Sequence, residues 1–176
     1  VIGQGLALGP LAQAILTNVE NHYAAAPPGT LPLPERRVIV AGNPLLVAWD
    51  CEQVAVGLSS IGRGADPAIP LTIDQTGNCV GCQMRHAVMT VQIVRCIPGP
   101  DDNGAAPTAD AITTSGLQML TDAGLLSQAL LESAAQLRLG VPLGVDVQAG
   151  TIDPLGPEGN LSAVQGTIIL STGVLA

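Results

Sequence analysis

No lysine and no phenylalanine occur in the 176 residues, and Trp49 and Tyr23 are the only aromatic side chains. A core without aromatics has to be assembled from Val, Leu, Ile and Ala, which the 47% hydrophobic content supplies. Cations are scarce as well: six arginines face 14 acidic residues, for a net charge of −8. Tight binding to nucleic acid draws on many cationic contacts to phosphate, so this composition excludes a DNA- or RNA-binding module. No run of about 18 apolar residues free of charge and turn signals is present, which excludes a membrane-spanning helix and leaves no membrane partner expected. The first residues, Val1 to Leu8, lack the basic region of a secretory signal, and synthesis in a cytoplasm is expected. Glycine and proline are abundant instead, at 21 and 14.

The longest β signal runs from Arg85 to Pro98. Val88, Val91, Ile93, Val94 and Ile97 are β-branched, and Thr90 and Gln92 mark a polar face. Pro98-Gly99-Pro100 stops it, because proline cannot donate to a ladder. A strand of this length is expected to be the spine of the sheet.

Upstream, Leu8, Leu11, Ala12, Ile15, Leu16 and Val19 recur at helical spacing, which predicts a helix over about residues 10–25, with Pro10 in its first turn. Residues 1–9 either extend that helix or form an N-terminal arm. Pro27 to Pro34 reads as a proline-stiffened loop. Arg37–Ala41 and Leu46–Leu58 read as strands, and Ser59–Gly81 as a long loop of the kind that serves function or docks a partner. Downstream, Thr108 is a candidate N-cap for one long helix ending near Arg138-Leu139-Gly140. Gly116 and Gly124 interrupt it, each costing about 1 kcal/mol relative to Ala. Val145–Ala149 and Ala163–Ser171 read as the last strands, with Asp153–Gly159 as the loop between them. The expected fold is one α+β domain over residues 1–176: a mostly antiparallel sheet with an N-terminal helix and a long second helix packed on it.

The four cysteines are Cys51, Cys79, Cys82 and Cys96. Cys79 and Cys82 form a CxxC with His86 four residues on, so a zinc set of Cys79, Cys82, His86 and either Cys51 or Cys96 is the metal candidate. Strong zinc signatures carry two short knuckles and this chain has one, so no metal is expected. A thioredoxin-like CxxC opens a helix, whereas this one precedes a strand. Thiols or a disulfide remain: Cys51 and Cys96 could sit near one another on paired strands, and both the Cys51/Cys96 and the Cys79/Cys82 pairings stay open. His22, at a helix C-terminus, is explained by the helix dipole. Ser59, Ser60 and Ser115 lack a nucleophile-elbow context. Glu52, Asp101 and Asp102 read as solvated carboxylates. Gly62-Arg63-Gly64 is a turn without a phosphate-binding lysine. Asn160-Leu161-Ser162 matches a glycosylation sequon with no sign of secretion. No catalytic residue and no cofactor are expected.

Three stretches carry a resemblance: Asp50-Cys51-Glu52-Gln53 opening a strand; a turn cysteine followed by Arg85–Val91 and ending Val94-Arg95-Cys96-Ile97-Pro98; and an acidic Gly/Pro loop leading into a long helix that carries Asp122. Together they span about residues 35–138. In these the chain resembles the tail terminator proteins of long, non-contractile-tailed (siphovirus-type) bacteriophages, especially those of actinobacterial hosts. The resemblance implies a structural virion protein, not an enzyme. It would be assembled in the host cytoplasm as a ring, usually a homohexamer, at the head-proximal end of the tail. There it would end polymerisation of the tail tube protein and join a head–tail connector protein, with the genome passing through without tight binding. A mean hydropathy of +0.44 with 11% charged residues suits a chain that buries surface against partners. A head–tail connector or neck protein, and a small zinc-binding or redox module, are the alternatives.

Overall fold

The structure is a computed structural model that describes residues 8–42, 51–63, 72–73, 79–80, 85–100, 104–140, 145–158 and 160–172. Two helices, α1 (Leu8–Ala24) and α2 (Ala109–Gly140), lie with strands β1 (Arg36–Val40), β2 (Gln53–Arg63), β3 (Thr72–Ile73), β4 (Cys79–Val80), β5 (Arg85–Cys96), β6 (Val145–Glu158) and β7 (Leu161–Thr172). Five of the strands form one sheet in the order β1-β2-β5-β7-β6, and β3 pairs with β4 alone. β5 is the middle strand, as its β-branched run predicts. The ladders β2–β5, β5–β7 and β6–β7 are antiparallel, and only β1–β2 is parallel. The α+β class expected from the sequence is therefore the observed one.

Alternation along β5 sends Ala87, Met89, Val91 and Ile93 to one face, where they join Val54 and Val56 of β2 and Val164, Ile168 and Leu170 of β7. α2 covers β6 and β7, and α1 lies against α2 and β2. Ile15 and Val19 from α1 and Leu126 and Leu130 from α2 are fully buried in this layer. Gly166 makes room for it: a Cβ there would lie 2.5 Å from Leu130 Cδ1 and 2.6 Å from Ile152 Cδ1. Thr108 caps α2 as the sequence predicts, accepting from the Ala111 N–H at 3.2 Å.

Two expected loops are strand instead. Asp153–Glu158 lies inside β6, which pairs with β7 down to Glu158 through two register shifts. Pro154 and Pro157 are tolerated because β6 is an edge strand with bulges, where a missing N–H breaks no ladder. Ser59–Arg63 continues β2 past a shift between Leu58 and Ser60. Of the strand expected over Leu46–Leu58, residues 46–50 lie outside the described ones. Leu8 and Gly9 belong to α1, and the rest of the segment expected as a possible N-terminal arm, residues 1–7, lies outside the described residues. Among the described residues no helix is long and apolar enough to cross a membrane.

Candidate functional site

The same alternation that buries Ile93 brings Arg95 to the helix-facing side of β5, at the sheet end where α1, α2 and the proline loop converge. Its Nε donates to Asp122 Oδ2 at 2.9 Å and its Nη2 to Asp122 Oδ1 at 3.0 Å. Nη2 also donates to the Pro32 carbonyl at 3.0 Å, and Nη1 to Glu52 Oε2 at 2.9 Å. Tyr23 from α1 closes the cluster, its hydroxyl donating to Asp122 Oδ1 at 2.6 Å. One guanidinium thus ties together a loop, the start of β2, the end of β5 and α2, and Asp122 brings in α1. Burial works against charge on Arg95, but the hydrogen bonds and charge of Asp122, followed by those of Glu52, outweigh it and hold the guanidinium above its ordinary pKa. Burial, then the charge of Asp122 and the hydrogen bond to it, push the Tyr23 phenol well above its ordinary value.

Glu52, read from the sequence as a solvated carboxylate, is corrected here. Its side chain is half exposed, but one oxygen holds Arg95 and the other accepts from the Cys96 N–H at 3.2 Å. Its backbone has φ of 60°, a conformation rare outside glycine. The neighbours of this pair are joined covalently: Cys51 and Cys96 form a disulfide with Cα atoms 4.9 Å apart. Cys51 and Cys96 are thereby removed from the zinc set. Cys82 lies outside the described residues, and no group of three or more metal-ligating side chains exists among the described ones.

The remaining candidates are scattered. His22 Nε2 donates to Glu132 Oε2 at 2.7 Å, joining α1 to α2. His86 is buried on β5 opposite Gly62. Ser59 and Thr90 share a hydrogen bond across β2 and β5. Asn160 sits exposed at the β6–β7 turn, where its carbonyl accepts from the Ile97 N–H at 2.9 Å. Asp101 and Asp102 lie outside the described residues. Nothing brings a nucleophile, a base and an orienting group together among the described residues, and the Arg95 cluster is a buried brace.

The feature that sequence reading missed is the outer face of α2. From Ala111 to Leu131 the only charged residue is Asp122, and it is buried against Arg95. Ile112, Leu117, Leu120 and Leu131 stand exposed on this stretch, Leu120 at 71%. A surface helix normally turns a charged or polar stripe to solvent. Gly124 is exposed here and a Cβ would meet nothing within 4 Å, so packing inside the chain does not require glycine. The signal lay in the sequence as 21 helical residues with a single charge.

No protein-family model matches the chain, and no curated protein matches it.

Proposed function

We propose that this chain is a structural virion protein that forms a ring, a homohexamer, capping the head-proximal end of a phage tail tube. In that place it ends tube polymerisation and offers the surface to which the head is joined. The observation that carries the reading is the charge-free, leucine-bearing outer face of α2, which packing among the described residues leaves uncovered in a protein of net charge −8. Apolar surface of this kind is normally buried against a partner. The Arg95 brace supports it from behind, because it fixes α2 to the sheet at the middle of the helix. The resemblance over about residues 35–138 supplies the tail and the ring order. The partners are copies of the chain itself, the tail tube protein and a head–tail connector protein.

The test is negative-stain microscopy and light scattering of the purified chain, alone and mixed with tail tubes. Rings, free or seated at one tube end, are the expected result. A strict monomer in both preparations would sink the reading, and rings bound only to the portal side of the head would move the chain to the neck.

A further inference from the structure

α2 is 32 residues long, about 48 Å at 1.5 Å per residue, and its two ends differ in shape and charge. Near its N-terminus lies a groove of about 290 Å³, bounded by Ile97, Ile112, Gly116, Met119, Leu155 and Ser162. No charged side chain lines it. The Ser162 hydroxyl in its wall belongs to a residue only 9% exposed and has no hydrogen-bond partner. Gly116 keeps it open, since a Cβ at that position would meet nothing within 4 Å in this chain.

At the other end Leu139 is 90% exposed, the most exposed of the large apolar side chains among the described residues. Ala135 and Leu131 lie about one and two turns before it and are also exposed. The charges at the two ends are opposite. Arg138 stands beside Leu139 in the last turn, half exposed, donating to the Val147 carbonyl and facing Asp146 at 3.4 Å. Asp110 stands two residues from Ile112 in the first turn, exposed and without an ion pair among the described residues.

We infer that the occupant of the groove is the Leu139 end of α2 from a second copy of this chain. The contact sets an apolar knob into an apolar hole and Arg138 beside Asp110. It also brings the negative end of one helix dipole toward the positive end of the next. Leu139 is about 40 Å from Ile112 and, at 3.6 residues per turn, on the opposite side of α2, so a single antiparallel partner does not fill both knob and hole. The contact is heterologous, and copies repeat head to tail until a rotation closes the ring. This deepens the ring reading above and rests on it.

The experiment replaces Leu139 with a benzophenone-bearing amino acid in the full chain and mixes isotopically light and heavy copies. Irradiation, with and without tail tubes, is followed by peptide mass spectrometry. The expected product joins position 139 of one copy to Ile112–Met119 or Leu155 of another. Leu139→Asp and Gly116→Leu should each weaken self-association by about tenfold or more in analytical ultracentrifugation. Gly116→Leu should do so without lowering the melting temperature, because Leu is the better helix former. Rings that form without the crosslink, or that survive both substitutions unchanged, overturn this contact and leave the ring reading standing. A chain that stays monomeric alone and on tubes overturns both. The crosslink in assemblies that never seat on tails supports the contact and removes the tail assignment.

Discussion

Arg95 and Asp122 stand 27 residues apart in the chain and meet through two hydrogen bonds of 2.9 and 3.0 Å, with side chains only 3% and 2% exposed. This is the fork-on-carboxylate geometry in which a guanidinium is held most firmly. Neither charge could be buried alone, since the desolvation cost of an isolated ion in a protein interior is several kcal/mol.

Removing one partner is therefore predicted to be far worse than removing both. Asp122→Ala should cost about 3–5 kcal/mol in urea unfolding, because it strands a buried guanidinium that Glu52 and Pro32 satisfy only in part. The double substitution Arg95→Met with Asp122→Leu should recover much of that loss. A double variant as unstable as Asp122→Ala would show that the pair contributes through more than mutual neutralisation.

The spine strand was legible because its β-branched run ends at Pro98, and both helices because their apolar periods are regular. The Arg95–Asp122 pair was not legible as a pair: nothing local links a strand end to the middle of a helix, and only the fold closes that distance. Its trace in the sequence is an arginine at the far end of an apolar strand and a lone aspartate in the otherwise uncharged stretch Ala111–Leu131. β6 was misread because Pro154, Gly156 and Pro157 are the ordinary marks of a loop, and only the neighbour β7 shows that they decorate an edge. The strand pattern allows Cys51 and Cys96 to sit near one another but leaves their pairing open, and the fold joins them. The charge-free face of α2 was there to be counted, but it acquires meaning only once the helix is seen to turn that face outward.

Tyr23 gives a direct optical reading of the same cluster, because it is the only tyrosine. Its folded pKa is raised above the ordinary value of 10.0, chiefly by burial and then by Asp122. A raised pKa contributes stability that is whole below the unfolded value and is lost as pH rises beyond it. Stability should hold up to about pH 10 and then fall by about 1.4 kcal/mol per pH unit as the unfolded chain gives up its phenolic proton. Phenolate absorbance should appear together with loss of helix signal by circular dichroism. Phenolate formed in a chain that is still folded, near pH 10, would contradict the burial of Tyr23.

The Cys51–Cys96 bond closes a span of 45 residues and flanks the Glu52–Arg95 pair on both strands. Chain-entropy arguments give such a closure about 2–4 kcal/mol. It also holds Glu52 in its left-handed backbone conformation, which costs on the order of 1–3 kcal/mol for a residue other than glycine. Reduction should lower the unfolding midpoint and speed proteolysis near residues 51–53 before the helices are cut. The Cys51→Ser/Cys96→Ser variant should match the reduced protein and ignore added thiol. A midpoint indifferent to thiol in the wild-type chain would refute this.

The last prediction concerns DNA. In a tail ring the genome travels along the axis, and each of its phosphates is negative. Proteins that hold duplex DNA neutralise phosphates with arginine and lysine, and the released counterions make that binding strong at low salt. This chain has no lysine, and of its six arginines Arg95 is buried, Arg37 faces Glu20 at 3.2 Å, and Arg138 faces Asp146. The exposed carboxylates Asp110, Glu132, Asp146 and Asp153 would be repeated by the symmetry of a ring, and a narrow low-dielectric channel focuses the field of any that face it. The expected outcome is a lumen that repels the genome and lets it slide, with no binding of duplex DNA to the purified chain. Fluorescence anisotropy with a labelled duplex, at about 0.15 M salt and again at about 0.01 M, reads this directly. Saturable binding that weakens as salt is added would mean that arginines line a DNA path, and it would overturn the electrostatic argument while leaving assembly untouched.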